Sequence, residues 1–545
     1  MAQGLAQTSD SDFGRDEAQL IHNLRRFHEV AQCTYQVILD RERDQARDKD
    51  LIQVWGSTPE FIAAKTHILE FLASRYPRMK RFATSAIPIR VWEPPKTSPY
   101  YDSLEALDLN IPAVEIHGES WPNLLLHRLG DWTGEDLNRR IGELFVQSED
   151  PCNWLYHNTS GSGKTRTLLE GLCRHWGLYF SCAYDPYIGS ADLATVLRDP
   201  LLGSVLKDLD LDDPDHTKQH ANNLANVNPM FTRVLLARVI FLYYFALEVT
   251  AAKRDSSGLQ CKRNWSFLQI YPKLLSAAKD TDIFLHFITI LRRAKLTQDT
   301  MQGLLNHFLN DLAQKLPLAQ DKLFVVVDEA QTAADLHKKA FKSMQEKDHR
   351  PILRELVMNW NVLIPDKQEA WGEHPVQSGF IVTGTGIDVK LIKDALSSTV
   401  CKHAQLSEFH NTGVFNVADG SQSAYALQFF PREFTETKEG TTLLNGMSHW
   451  LRGRYEAFIS VGNADSNIFT RRHRLTAAFI TYLLYSGFSK PHTLLNRYIE
   501  QIAGVTPTDA AHLIRREGEG HEVDCSVVKL DSLQYERLRG SRLES

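Results

Sequence analysis

The sequence predicts an α/β protein in which helices flank a parallel sheet, with a helical N-terminal portion, a helical insertion and a helical C-terminal portion. A glycine-containing segment at 158–165 lies between the apolar residues 154–156 and an amphipathic run that begins at 167. Buried-strand patterns recur at 322–331 and 379–386. A strand, a loop, a helix and a second strand form the opening βαβ unit of a doubly wound sheet.

Residues 158–165 read NTSGSGKT, an order typical of a phosphate-binding loop. In such a loop, consecutive backbone N–H groups surround a triphosphate, and the following helix directs its positive end at the anion. Lys164 then supplies a cation beside the β- and γ-phosphates, and the Thr165 hydroxyl binds Mg²⁺. The predicted ligand is Mg-ATP, and the predicted binding residues are Asn158, Thr159, Ser160, Gly161, Ser162, Gly163, Lys164, Thr165 and Arg166.

The loop departs from the usual pattern at Asn158, where most such loops have glycine. Asparagine tolerates left-handed backbone geometry better than other non-glycine residues. Gly161 and Gly163 remain to permit close approach of the backbone, so we interpret the segment as a variant loop. The alternative is a serine- and glycine-rich turn that happens to precede a lysine.

Residues 322–331 form an apolar run that ends in two acids, Asp328 and Glu329. This pattern indicates a strand buried on both faces of a parallel sheet. In a protein with the loop described above, the first acid completes the Mg²⁺ site and the second activates the attacking water. Asp328 is therefore the predicted metal ligand together with Thr165, and Glu329 is the predicted catalytic base. The alternative is a core strand that runs into a solvated turn.

Two more segments supply candidate catalytic residues. The strand at 379–386 ends in small polar residues, of which Thr383 or Thr385 is the candidate sensor of the γ-phosphate. A strand followed by a glycine turn is the alternative. Further on, a basic cluster opens an apolar helix, and its Arg472 and Arg474 are candidates to reach the γ-phosphate. The alternative for either arginine is an exposed position or a pair with a nearby acid.

The composition limits the classes of protein to which the chain can belong. Its 545 residues are enough for two or three domains of roughly 100–200 residues each. A net charge of -6 argues against a globally basic nucleic-acid-binding protein but leaves a local basic patch open. The seven cysteines are widely spaced and show no C-x-x-C pair, which indicates reduced thiols.

The polar N-terminus at 1–17 shows no secretory signal pattern. The most apolar segment, 234–252, is interrupted by Arg238 and Glu248 and is therefore predicted to be a buried helix and not a membrane span. Together with the cysteine pattern, these features predict an intracellular protein, cytoplasmic or nuclear, without a membrane partner.

The motif positions divide the chain into consecutive parts. These are a disordered N-terminus at 1–20, a mainly helical region at 21–150, a nucleotide-binding unit at 151–400, its helical C-terminal part at 401–500 and a polar tail at 501–545. A helical insertion at 185–320 separates the lysine loop from the acidic strand. It includes an acidic, asparagine-rich connection at 208–228.

Several segments resemble the NTPase module of fungal Crinkler-type proteins, a family similar to the STAND and AAA+ branches of P-loop NTPases. They are WLYHNTSGSGKTRTLLEGLCRHWG at 154–177, the segment at 181–193, VVVDEAQ at 325–331 and RRHRLTAAFI at 471–480. The resemblance implies an NTPase coupled to a C-terminal effector, often nuclease-like. The chain departs from the host-translocated pattern, because it shows no leucine-rich delivery signal and leaves few residues for an effector.

The sequence therefore predicts a P-loop ATPase that hydrolyses ATP slowly and switches the helical parts between arrangements. Its expected partners are the nucleotide and either another protein or a second copy of the chain. Two alternatives remain open: a nucleotide-gated scaffold that binds without turnover, and an NTPase that acts on nucleic acid with steeply salt-dependent binding. A kinase for a small acceptor is disfavoured, because the acid pair suits activation of water better than binding of an acceptor.

Overall fold

The structure is a computed structural model, and the residues it describes are 59–85, 87, 89–131, 134–146, 153–158, 161–251, 258–276, 282–316, 322–342, 348–364, 376, 378–385, 406–413, 420–451 and 473–518. The predicted disordered segment at 1–20 and the tail beyond 518 lie outside these ranges. So do Thr159 and Ser160 of the loop and the candidate Arg472.

Within the described residues, five parallel strands form the central sheet. The strands, with two antiparallel pairs outside that sheet, are β1 (Ala113–Ile116), β2 (Glu119–Pro122), β3 (Asn153–Asn158), β4 (Gly177–Ser181), β5 (Leu323–Asp328), β6 (Phe341–Lys342), β7 (His349–Arg350), β8 (Ser378–Thr385) and β9 (Leu406–Phe409). The central order is β4-β5-β8-β3-β9, while β1 pairs with β2 and β6 with β7. The predicted α/β class with a parallel sheet flanked by helices is confirmed.

Helices connect and cover these strands. In chain order they are α1 (Pro59–Thr84), α2 (Tyr101–Ala106), α3 (Glu135–Leu144), α4 (Lys164–Leu172), α5 (Asp192–Leu197), α6 (Pro200–Val205), α7 (His216–Ala251), α8 (Leu259–Ile270), α9 (Ile283–Arg293), α10 (Gln298–Lys315), α11 (Ala330–Asp335), α12 (Ile352–Leu363), α13 (Ser421–Leu427), α14 (Arg432–Thr435), α15 (Lys438–Trp450), α16 (His473–Tyr485), α17 (Pro491–Ala503) and α18 (Ala511–Gly518). Helix α4 packs against three strands of the sheet, β3, β4 and β5.

The strand register aligns the polar ends of the central strands. Tyr156 of β3 pairs with Thr383 of β8, and Ser181 of β4 pairs with Asp328 of β5. Because parallel strands finish at the same edge of a sheet, the loop after β3 and the acids at the end of β5 lie at one edge. The strand that carries Thr383 lies between β3 and β5.

The main core joins the sheet to the helical insertion and to α1. Its longest element is α7, the one helix within the described ranges that is long and apolar enough to cross a membrane. Of its most apolar window, 83% is buried inside the protein. Phe71 of α1 stacks on Phe287 of α9 with ring centroids 5.4 Å apart and also meets Phe241 of α7 edge-on. Packing against protein therefore accounts for the apolar character of α7, in agreement with the predicted buried helix.

A second, C-terminal core forms where residues 92–124 pack against helices α13 to α17. Trp121 of β2 stacks on Tyr485 with ring centroids 3.6 Å apart. The Ser98 hydroxyl donates a hydrogen bond of 2.6 Å to the Gly487 carbonyl. The N-terminal region thus takes part in both cores and is not a separate helical prefix.

The secondary structure of three regions differs from the sequence-based prediction. The region 21–150, predicted to be mainly helical, contains the β1–β2 hairpin, and the part at 401–500, predicted to be helical, contributes the edge strand β9. The asparagine-rich connection predicted at 208–228 is helical from His216 onward. Asn223 explains this change, because its side-chain amide donates to the carbonyls of Lys207 at 2.8 Å and Ala340 at 2.6 Å. Such long-range bonds override the low helix propensity of asparagine.

Candidate functional site

The loop after β3 has the backbone geometry of a tight turn into a helix. Gly161 and Gly163 have φ angles of 76° and 99°, in the left-handed region that favours glycine. Gly163 is the N-cap of α4, which begins at Lys164. A Cβ atom at Gly161 would lie 2.7 Å from Cβ of Arg474, so this glycine also permits the first turn of α16 to approach.

Lys164 is held inside the site by the chain segment that precedes the loop. Its ammonium group donates a 2.7 Å hydrogen bond to the carbonyl of Asn158, and the residue is only 5% exposed. Burial lowers the pKa of Lys164 to about 8, while the nearby carboxylates of Asp328 and Glu329 act in the opposite direction. An ammonium group of this kind gains from an anionic ligand, which would compensate for the lost solvation.

Asp328 at the end of β5 faces the first turn of α4. The Thr165 hydroxyl donates to Asp328 Oδ2 at 3.0 Å, and the Tyr179 hydroxyl donates to the same oxygen at 3.0 Å. The backbone N–H of Glu329 donates to Asp328 Oδ1 at 2.8 Å. Burial, reinforced by the Glu329 carboxylate, raises the pKa of Asp328 to about 6. The lysine loop and the acidic strand therefore meet in one site.

Glu329 turns away from the direction of the strand. Its φ of 54° is uncommon for a residue other than glycine, and α11 begins at the next residue. The side chain is partly exposed, and its carboxylate accepts a hydrogen bond from the side-chain amide of Gln331. A general base must be able to approach the water that it deprotonates, and a partly exposed carboxylate at a strand end can do so.

Thr383, one of the two candidate sensors, is fully buried between the two motif strands. Among the described residues, no hydrogen-bond partner is found for its Oγ1 atom or for the buried Ser162 hydroxyl of the loop. Buried polar atoms in folded proteins almost always have partners, so each such hydroxyl is a candidate ligand contact. Thr385 lies at the strand end, in register with Asn158.

Two predicted binding residues point away from the loop. The Asn158 side chain donates to the His410 carbonyl at 2.6 Å and to the Thr412 hydroxyl at 3.0 Å, so it fastens the loop to the segment after β9. The Arg166 guanidinium bonds to Glu170 at 2.6 Å and to the carbonyl of Leu125. In this structure both side chains brace the site from outside it.

Arg474 lies beside the loop, and its predicted contact with a γ-phosphate stays a prediction. Its backbone N–H donates to the Gly161 carbonyl at 3.0 Å, and its side chain is exposed beside that glycine. Its positive charge contributes to the lowered pKa of Lys164. The start of α16 therefore closes over the loop from the C-terminal part of the chain.

Two residues near the site were missed at the sequence level. Tyr179 lies inside the apolar strand β4, where only its hydroxyl distinguishes it from a core residue. Arg140 of α3 is buried against Gly413, whose missing Cβ would otherwise lie 1.6 Å from Arg140 Nη1. Within the described residues, no partner is found for Arg140 Nε or Nη1, and burial lowers the pKa of Arg140. No local signal marks Arg140, because its position depends on tertiary packing.

The donor atoms fit the magnesium ion that the sequence implies. Mg²⁺ prefers oxygen ligands and is usually held by one or two carboxylates together with substrate phosphates. Neighbouring ligands of an octahedral Mg²⁺ are about 2.9 Å apart when the bonds are about 2.0–2.1 Å long. The Thr165 hydroxyl and the Asp328 carboxylate offer oxygen atoms 3.0 Å apart.

Comparison of the chain with protein-family models, with curated proteins and with solved structures gives no match.

Proposed function

We propose that the chain is a P-loop NTPase that binds Mg-ATP and hydrolyses it slowly as a conformational switch. The observation that carries the proposal is the 3.0 Å bond between Thr165 and Asp328, which are 163 residues apart. The sheet order adds support, because a strand between the loop strand and the acidic strand is the feature of additional-strand P-loop ATPases. The resemblance to Crinkler-type NTPase modules remains a hypothesis.

In this proposal, different residues bind the phosphates, hold the metal ion and orient the attacking water. Loop N–H groups and the start of α4 bind the phosphates, and Lys164 balances the charge of the β- and γ-phosphates. Thr165 and Asp328 would hold Mg²⁺, which when bound neutralises the charge on the phosphate oxygens. Thr383 orients the attacking water through its buried hydroxyl.

Glu329 acts as the general base in this proposal. Water oxygen bonds to the γ-phosphorus while its proton passes to the Glu329 carboxylate, and the bond from γ-phosphorus to the bridging oxygen breaks. The products are ADP and inorganic phosphate. Arg474 stabilises the charge that develops on the γ-phosphoryl group, and the movement of α16 against Gly161 transmits the change to the C-terminal core.

A nucleotide-gated scaffold is the second candidate, and one contact favours it. The Gln331 amide already holds the Glu329 carboxylate, and a restrained base would leave a bound nucleotide intact. Replacing Glu329 by Gln separates the two functions. Turnover by this base predicts a loss of roughly 10²–10⁴-fold in phosphate release with binding retained. The scaffold predicts nucleotide binding without phosphate release in the wild type and in Glu329→Gln alike.

The deciding experiment is phosphate release from ATP and GTP by the full-length protein with and without Mg²⁺. We expect Lys164→Ala to abolish the Mg²⁺-dependent activity, because the variant removes the buried ammonium group. Lys438→Ala is the matched control, since Lys438 is exposed at the start of α15 in the C-terminal core. Equal rates in the wild type and in Lys164→Ala would overturn the proposal.

A further inference from the structure

We propose that His157, Glu408 and His410 form a binding site for a divalent transition-metal ion, for which Zn²⁺ is the test ion. His157 lies near the end of β3, Glu408 lies in β9, and His410 follows that strand. The Nε2 atoms of both histidines are 3.3 Å from the same carboxylate oxygen, Glu408 Oε2. The potential ligand atoms of the three residues all lie within 4.8 Å of one another.

The two nitrogen–oxygen separations of 3.3 Å suit tetrahedral coordination. Zinc bonds to imidazole nitrogen and to carboxylate oxygen are about 2.0–2.2 Å long, so neighbouring ligand atoms of a tetrahedral site are about 3.3 Å apart. Two imidazoles and one carboxylate are a donor set that zinc uses in sites with an open fourth position. The same set excludes a preference for Mg²⁺, which selects oxygen ligands.

The backbone presents the three side chains together. Residues 408 and 410 are two apart in an extended segment and therefore project to the same face, and β9 pairs in parallel with β3. The His157 and His410 rings meet edge-on with centroids 3.9 Å apart. The side chain of His157 is 16% exposed and that of His410 is 55% exposed, so an ion has a route from solvent.

A bound ion would clamp the edge of the sheet beneath the nucleotide loop. Asn158 follows His157 directly, accepts the Lys164 hydrogen bond through its carbonyl and donates to the His410 carbonyl through its side chain. The ion would therefore join β3 to β9 at the point where the loop begins. This inference concerns a separate site and does not depend on ATP binding or hydrolysis.

The competing explanation is a pair of histidine–glutamate ion pairs without a metal. Ion pairs of exposed side chains contribute little and show no selectivity among cations. A metal site predicts instead one equivalent of Zn²⁺ bound in the presence of excess Mg²⁺. Co²⁺ in the same site should give the d–d absorption of a four-coordinate ion without a thiolate charge-transfer band, because the cluster contains no cysteine.

The test is titration of the tag-free full-length protein with Zn²⁺ and, separately, with Co²⁺. We expect His157→Ala, His410→Ala and Glu408→Gln each to weaken binding more than tenfold, since loss of a ligand exceeds the 10–100-fold effect of a lost outer-sphere partner. His512→Ala, an exposed position on α18, is the matched control and should bind as the wild type does.

Two results would overturn the inference. One is equal metal affinity in the wild type and in Glu408→Gln, a near-isosteric variant expected to retain the fold. The other is a Co²⁺ spectrum with thiolate bands that persists in the histidine variants. Lys164→Ala should leave Zn²⁺ affinity unchanged, so failure of the metal site and failure of the proposed ATPase are distinguishable.

Discussion

Asp192 in the helical insertion and Asp328 at the edge of the sheet are both buried carboxylates, yet their surroundings differ. Asp192 is 0% exposed and accepts a 2.7 Å hydrogen bond from Nε of the Arg238 guanidinium group. The Arg238 guanidinium also lies 3.7 Å from the centre of the Phe284 ring. The carboxylate of Asp328, 3% exposed, receives hydrogen bonds only from neutral donors among the described residues.

This difference separates a carboxylate with a charged hydrogen-bond donor from a carboxylate whose donors, among the described residues, are neutral. A buried charge is costly unless a partner compensates for it, and the insertion supplies that partner from its own chain. At the sheet edge, the Lys164 ammonium donates to the Asn158 carbonyl and attracts the Asp328 carboxylate through its charge, without a direct hydrogen bond between the two side chains among the described contacts. The buried hydroxyls of Ser162 and Thr383 add further polar atoms that a ligand can satisfy. We therefore propose that the kind of donor, more than burial, distinguishes a ligand-binding carboxylate from a structural one.

The largest expected effect comes from removing each carboxylate in turn. Asp192→Ala leaves Arg238 buried without its counter-ion and should lower the free energy of unfolding by about 3–5 kcal/mol. Asp328→Asn removes a buried charge but keeps an oxygen acceptor for the Thr165 and Tyr179 hydroxyls, so it should not lower the melting temperature in EDTA. Thermal unfolding of both variants with and without Mg-ATP measures these effects.

In that experiment, Mg-ATP should raise the melting temperature of the wild type but not that of Asp328→Asn. The wild type measured in EDTA is the control for both variants. A large loss of stability in Asp328→Asn, with ligand stabilisation intact, would show that Asp328 is structural and would remove the contrast.

The next largest effect concerns Arg474, which lies in the first turn of α16 beside the loop. Arg474→Ala should lower the turnover number by roughly 10²-fold, comparable to the loss of one donor to transition-state charge, with little change in KM. Steady-state phosphate release measures both parameters. Arg497→Ala, an exposed arginine on the adjacent helix α17, is the control. Equal losses in both variants would assign Arg474 to general surface charge.

A smaller effect distinguishes a glycine that permits a close contact in the site from a glycine that is needed only for its positive φ angle. Gly161 and Gly118 have φ angles of 76° and 82°, so alanine at either position costs about 1–2 kcal/mol. Gly161→Ala also clashes with Arg474, whereas nothing lies within 4 Å of a Cβ at Gly118. We expect Gly161→Ala to lose more stability than Gly118→Ala because of this clash, and only Gly161→Ala to lose nucleotide affinity by calorimetry. Retained affinity in Gly161→Ala would contradict the close docking of α16.

The smallest effect is a dependence of the stability on pH that arises from Asp328. The pKa of Asp328 is about 6 in the folded protein and 3.8 ordinarily, so the folded state binds this proton more tightly. The resulting stability is fully present below pH 3.8 and is lost as the pH rises through about 6. In EDTA, melting curves at several pH values should show this loss in the wild type and not in Asp328→Asn.

Protons also compete with Mg²⁺ for Asp328, so the affinity for Mg-ATP should fall as the pH drops below about 6. Calorimetric titrations across this range measure that change, with nucleotide in EDTA as the control. Melting profiles that coincide for the wild type and Asp328→Asn at every pH would contradict the raised pKa.

The residues at the centre of the site could be predicted from the sequence, but those around it could not. The meeting of Lys164 and Asp328 was predictable, because each motif follows an apolar strand and parallel strands end at one edge. Strand β9 was not, since it has only four residues and two of them, Ser407 and Glu408, are polar. An edge strand needs no continuous apolar run, so it leaves a weak pattern.

Contacts that depend on tertiary packing were also beyond the sequence. Tyr179 and Arg140 reach the site from elements on either side of the loop, and neither lies in a recognisable motif. Similarly, the helix that begins at His216 is stabilised by the bonds of Asn223 to Lys207 and Ala340. Local propensity assigns such a segment to a loop, and only long-range contacts reverse that assignment.

The central claim is that the lysine loop and the acidic strand bind one magnesium-complexed triphosphate. Isothermal titration of the full-length protein with ATP, in Mg²⁺ and in EDTA, tests it most directly beside Lys164→Ala and Asp328→Asn. The account predicts one site per chain in the wild type, weaker binding in EDTA, and strongly reduced binding in both variants. Flat titrations of the wild type with every common nucleoside triphosphate, or equal affinity in all three proteins, would contradict it.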